Sequence, residues 1–149
     1  MTAHERTGFR DEALSRRHRE WGYDCPATDV DLLLLEYDRG LPAAVIDYKH
    51  RSSQVALAEQ TPNLSALGSL YDRDGKQLPF FVVYYDPDTW AFKFYPMNEQ
   101  ARWRCGDSPG PFVCDERGWV SWLHYLRGRI ADEKTLSTRN TIQWEEGKT

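Results

Sequence analysis

Eight consecutive residues, Leu78 to Tyr85 (Leu-Pro-Phe-Phe-Val-Val-Tyr-Tyr), are aromatic or β-branched almost throughout and carry the strongest strand signal in the chain. Two earlier segments also read as strands. Val30 to Tyr37 (Val-Asp-Leu-Leu-Leu-Leu-Glu-Tyr) is a short apolar run expected to be buried on both faces. Ala43 to Lys49 (Ala-Ala-Val-Ile-Asp-Tyr-Lys) is its return strand, reached through the hairpin signal Asp38-Arg39-Gly40, with Pro42 setting where that strand begins. Beyond Tyr85, Asp86-Pro87-Asp88-Thr89 turns the chain into Trp90 to Tyr95, an expected antiparallel partner.

Helical patterns lie around these strands. From about Phe9 to Trp21 few breakers occur, and Phe9, Ala13, Leu14, Arg17 and Trp21 share one helical face, with Gly22 ending the run. Asn63 or Ser65 is expected to cap a short helix through Leu64, Leu67, Leu70 and Tyr71, closed by Asp72-Arg73-Asp74-Gly75. Trp119, Val120, Leu123, Leu126 and Ile130 repeat at helical spacing behind Asp115 and Glu116, which suit a helix start. Pro96 to Pro111 reads as loop and 132–149 as a polar tail. The expected fold is α/β, a mixed central sheet with an antiparallel hairpin flanked by helices, in one domain over residues 1–131. A chain of 149 residues has no room for a second independent core.

A net charge of −4 argues mildly against a nucleic-acid partner, but the charge is local. Residues 23–50 alone carry −4, six carboxylates (Asp24, Asp29, Asp31, Glu36, Asp38, Asp47) against Arg39 and Lys49. The remaining segments cancel. Three cysteines, Cys25, Cys105 and Cys114, are odd in number and have no C-x-x-C or zinc-finger spacing, which favours a reducing, cytoplasmic setting. No apolar signal region or membrane-length stretch occurs, and no G-x-S-x-G elbow supports a serine triad.

If the hairpin turns about Arg39 and Gly40, cross-strand partners have numbers summing to roughly 78 or 79, so Asp31 sits opposite Asp47 or Tyr48. Alternation then sends Asp47 and Lys49 one way, with Asp29 and Asp31 on one face of the opposite strand. Asp31 is the preferred partner, since it starts the apolar run and best faces Asp47. Like charges across a strand pair destabilise it and need a compensating cation. Lys49 offsets one charge, and a Mg²⁺ (or Mn²⁺) ion would offset the rest, since Mg²⁺ prefers one or two carboxylates plus waters and phosphate oxygens. The bare [DE]-x-K pattern occurs four times, at Asp47, Asp74, Asp132 and Glu146, but only Asp47-Tyr48-Lys49 ends an apolar strand with an acid opposite.

A strand-borne Asp, a hairpin, then Asp47-Tyr48-Lys49 ending the next strand, followed by a helix and another strand, resembles the PD-(D/E)xK nuclease superfamily over about residues 9–85. The run Arg17-His18-Arg19-x-Trp21-Gly22-x-x-Cys25-Pro26-x-x-Asp29-x-Asp31 is similar to small phage or bacterial proteins of that type. The resemblance implies a restriction-endonuclease-like α-β-β-β-α-β core and a Mg²⁺-dependent nuclease acting on DNA. It further implies Asp31 and Asp47 as metal ligands, the Tyr48 carbonyl as a further ligand, Lys49 as the catalytic lysine and Glu12 as a helix-borne acid near the metal. A homodimer cutting both strands follows by analogy. No strand signal falls between the first helix and Val30, and no Q-x-x-x-Y helix motif is present. Arg16, Arg17 and Arg19, with Arg102, Arg104, Arg127 and Arg129, are the candidate phosphate holders. Their plain alternative is a solvated helix face with Glu12–Arg16 and Arg16–Glu20 pairs. Trp90, Phe92, Phe94 and Tyr95 are either core or base-stacking residues. The competing functional reading is a catalytically silent nucleic-acid- or protein-binding module on the same fold.

Overall fold

The computed structural model describes residues 12–21, 30–53 and 61–129. Five strands, β1 (Leu32–Glu36), β2 (Leu41–His50), β3 (Phe80–Tyr85), β4 (Phe92–Pro96) and β5 (Phe112–Cys114), form one sheet in that spatial order. β2 and β3 run parallel, and the other three neighbouring pairs are antiparallel. Four helices accompany them: α1 (Glu12–Trp21), α2 (Thr61–Leu67), α3 (Glu99–Arg104) and α4 (Glu116–Leu126). The expected mixed α/β sheet with a hairpin and packed helices is therefore present. Parallel neighbours need a long crossover, and residues 51–79, with α2 among them, supply it.

The apolar run that dominates the sequence becomes the central strand. Phe80, Phe81, Val82 and Val83 are wholly buried because the two sheet faces carry separate cores. Side chains alternate along a strand. Ala44, Ile46, Phe81, Val83, Phe92 and Phe94 therefore point toward Trp119 and Leu126 of α4, whereas Val45, Phe80 and Val82 point toward Leu64 and Leu67 of α2. Phe92 and Phe94 are thus core residues, not base-stacking ones. Trp119 also ties α4 to the sheet, its Nε1 donating to the Tyr48 hydroxyl at 3.1 Å.

The hairpin forms as its sequence suggests. Tyr37–Arg39 makes one 3-10 turn, and Gly40 follows at φ 61°, a left-handed conformation that suits glycine. β2 starts at Leu41, earlier than expected, so Pro42 lies inside the ladder opposite Leu35. The register shifts between Leu34 and Leu35, a bulge that accommodates a residue with no N–H to donate.

Several expectations change. β1 is not buried on both faces: it is the sheet edge, and Leu33 and Leu35 are each 44% exposed on the side that α2 covers only further along, over β2 and β3. α2 starts at Thr61, not at a cap on Asn63 or Ser65, with Pro62 in its first turn where a missing N–H costs nothing. It ends at Leu67, and Tyr71 instead bridges Gln77 across the 72–75 turn, where Asp72 accepts the N–H groups of Asp74 and Lys76. The expected 96–111 loop contains α3, capped by the Asn98 side chain on Ala101 N, and is followed by β5. α4 is capped as expected, Asp115 accepting from Gly118 N at 2.8 Å. On α1, Ala13, Leu14 and Arg17 are exposed, so the face expected to be apolar is open at those positions. Phe9, Gly22, Ile130 and the 132–149 tail lie outside the described residues.

Candidate functional site

The acidic corner stands at the carboxyl end of β2. Leu32 pairs with Ile46, which brings Asp31, one residue earlier, opposite Asp47. Asp31 Oδ2 accepts the Tyr48 N–H at 3.0 Å, and the Asp31 and Asp47 carboxyls lie within hydrogen-bonding reach of each other. Lys49 follows on the same side, its Nζ 3.1 Å from Asp47 Oδ2, with the two side chains only 15% and 18% exposed. Val45 heads the same row of side chains within the α2-side core, so the charged pair begins where that apolar cluster ends.

The electrostatics follow from this crowding. Burial, then the hydrogen bond and the negative charge of Asp47, push Asp31 up to about 6, against the opposing pull of the Tyr48 N–H and of Lys49. At pH values below that, Asp31 carries a proton and can donate to the Asp47 carboxyl; above it, Asp31 adds a negative charge beside Asp47. The parallel register adds a neighbour that sequence reasoning did not find: Tyr84 stands beside Lys49. Burial raises its phenol most, followed by Tyr95 and by Asp47. Its only sequence signal was period-2 alternation with Phe80 and Val82, which gives a face but not a partner strand.

The other candidates are placed as follows. Asp29 and the side chains of Glu12 and Arg19 lie outside the described residues. Arg16 and Arg17 are exposed on α1, and Arg17 pairs with Glu20 at 3.5 Å, so Glu20 is engaged by Arg17 where an Arg16–Glu20 pair was expected. His50 turns to the α4 side, edge-on to Tyr85, with Nδ1 2.7 Å from Ser52 Oγ. Trp90, 43% exposed at φ 59°, stacks on Tyr85. Cys105 and Cys114 are free thiols that burial raises to about 11 and about 12, too high for nucleophiles near neutrality.

Asp31, Asp47, Tyr48 and Lys49 are therefore brought together. Among the described residues no group of three or more His, Cys, Asp or Glu side chains converges as a metal cage. A two-carboxylate donor set still fits Mg²⁺, which keeps several waters and leaves positions for phosphate oxygens. Among the described residues no helix is long and apolar enough to cross a membrane. Comparison of the chain with protein-family models, with curated proteins and with solved structures finds no match.

Proposed function

We propose that this chain is a Mg²⁺-dependent nuclease of PD-(D/E)xK type that hydrolyses phosphodiester bonds in DNA. The observation that carries the reading is the meeting of Asp31 and Asp47 across the hairpin end, with Lys49 Nζ 3.1 Å from Asp47. Two carboxyl groups so close, with one ammonium beside Asp47, leave room for negative charge that a divalent cation relieves. Asp31 and Asp47 would hold the ion, and the Tyr48 N–H keeps Asp31 turned toward it. When bound, Mg²⁺ supplies an acidified water and charge neutralisation at phosphate. Lys49 contributes a fixed positive charge where negative charge grows on the phosphate oxygens.

The test is cleavage of labelled linear, circular, single-stranded and branched DNA with Mg²⁺ or Mn²⁺. The expected result is cutting that EDTA abolishes and that Asp47→Ala or Lys49→Ala lowers by about 100-fold or more. Failure to cut all four substrates would sink the reading. One observation favours the silent-module alternative: Lys49 and Asp47 already satisfy each other in a largely buried ion pair. On that reading Mn²⁺ gives no thermal stabilisation and Asp47→Ala leaves the response to divalent ions unchanged.

A further inference from the structure

At the opposite end of β2 lies a cleft of about 200 Å³, bounded by the start of that strand, the 72–79 loop, α3 and the residues just after α4. Pro42 lines it, five residues from Asp47, which at ~3.3 Å per residue sets it about 16 Å from the acidic corner. It is a separate site.

Four cations line this cleft: Arg39, Lys76, Arg104 and Arg127. Of its three acids, two are already engaged. Glu36 accepts two hydrogen bonds from Arg129, at 2.8 and 2.5 Å, and Asp72 Oδ1 accepts the backbone N–H groups of Asp74 and Lys76. Asp74 remains on the wall. Among the described residues, Arg104 and Arg127 each bury an Nε that no acceptor reaches. Buried donors in a native fold are nearly always satisfied, by protein, water or ligand, so these two arginines bring donor capacity to the cleft that a bound anion can take up. Both arginines are also held in place, Arg104 with its guanidinium carbon 5.5 Å from the Tyr125 ring centroid and Arg127 with Nη2 4.0 Å from Glu36. Pre-positioned guanidinium forks match tetrahedral oxyanions.

We propose that this cleft binds the phosphate group of a small phosphorylated molecule. Its modest volume suits a free ligand better than a polymer, and its separation from Asp47 makes it independent of the nuclease reading. The experiment is thermal denaturation of the full chain in EDTA, titrated with inorganic phosphate against sodium chloride of matched ionic strength. Phosphate at a hundredfold excess over its Kd is expected to raise the Tm by about 5 °C or more above the chloride control. Arg104→Gln and Lys76→Gln are each expected to weaken the apparent affinity by about 10-fold. Asp74→Asn is expected to tighten it. Lys76 is exposed on the 72–79 loop, so Lys76→Gln carries the test should Arg104→Gln fail to fold. No shift beyond chloride, or an equal shift in wild type and both weakening variants, overturns the proposal. So does stabilisation by a short single-stranded oligonucleotide without any by phosphate, which would assign the cleft to a polymer backbone.

Discussion

Asp31 keeps its proton to about pH 6 because burial and the adjacent Asp47 oppose its ionisation more than the Tyr48 N–H and Lys49 favour it. A carboxyl raised in the folded state stabilises fully below its unfolded value of 3.8 and loses that contribution as pH climbs through about 6. At neutral pH without metal, the ionised acid is a burden. Asp31→Asn is expected to raise stability at pH 7 by about 1 kcal/mol once solvent screening is allowed for. The gain fades toward pH 4, measured by urea denaturation in EDTA, and on the proposed nuclease reading the same variant is expected to lose DNA cleavage. Glu36 behaves in the opposite sense. It is buried beneath Arg129, whose hydrogen bonds hold its carboxyl near 2. Its contribution is present above 4.5 and lost as pH falls through about 2. Glu36→Gln is therefore destabilising near neutrality, and the difference from wild type closes across that acid window. Gly118 gives a third test. A Cβ there would meet Cys114 Cβ at 2.9 Å, so Gly118→Ala is expected to cost about 1–3 kcal/mol despite alanine's better helix propensity.

Among the elements, α3 and β3 are joined through one buried amide. Asn98 Nδ2 donates to Leu78 O at 2.9 Å and to Gly68 O at 3.1 Å, while Oδ1 accepts from Ala101 N at 2.9 Å and Phe80 N at 3.3 Å. Asn98→Ala is expected to cost about 2–3 kcal/mol by chemical denaturation, with no rescue by Asp, which lacks both donors. Neither α3 nor this clamp was legible in the sequence. A six-residue helix between prolines has too few turns to show periodicity, and three-residue β5 has too few alternations. The longer strands were legible because each is an uninterrupted apolar, β-branched or aromatic run bounded by turn residues. The Asp31–Asp47 pairing was legible for a different reason: a tight turn fixes hairpin register, so locating Gly40 located the acids. The mistaken burial of β1 has a physical origin too. An apolar run reports that residues can be covered, not which strand ends up at the sheet edge. Tyr84 was hidden because a parallel register is set by the folding back of residues 51–79, on which local patterns are silent.

For the molecule as a whole, the charge pattern and the metal reading make one joint prediction. Residues 23–50 hold the net −4, and a divalent ion at Asp31 and Asp47 would neutralise part of it. Mn²⁺ is expected to raise the Tm of wild type but not of Asp47→Ala, and the effect should weaken below about pH 6, where the ion competes with the proton on Asp31. The sheet order carries a further consequence, in time. The β1–β2 hairpin closes over a three-residue 3-10 turn and Gly40, an event of about microseconds for isolated hairpins. The parallel β2–β3 pair must wait for residues 51–79 to loop back, a slower step because the entropy of closure is spent before any contact rewards it. On that argument the acids and Lys49 are expected to meet in the hairpin before Tyr84 reaches Lys49 across the parallel pair.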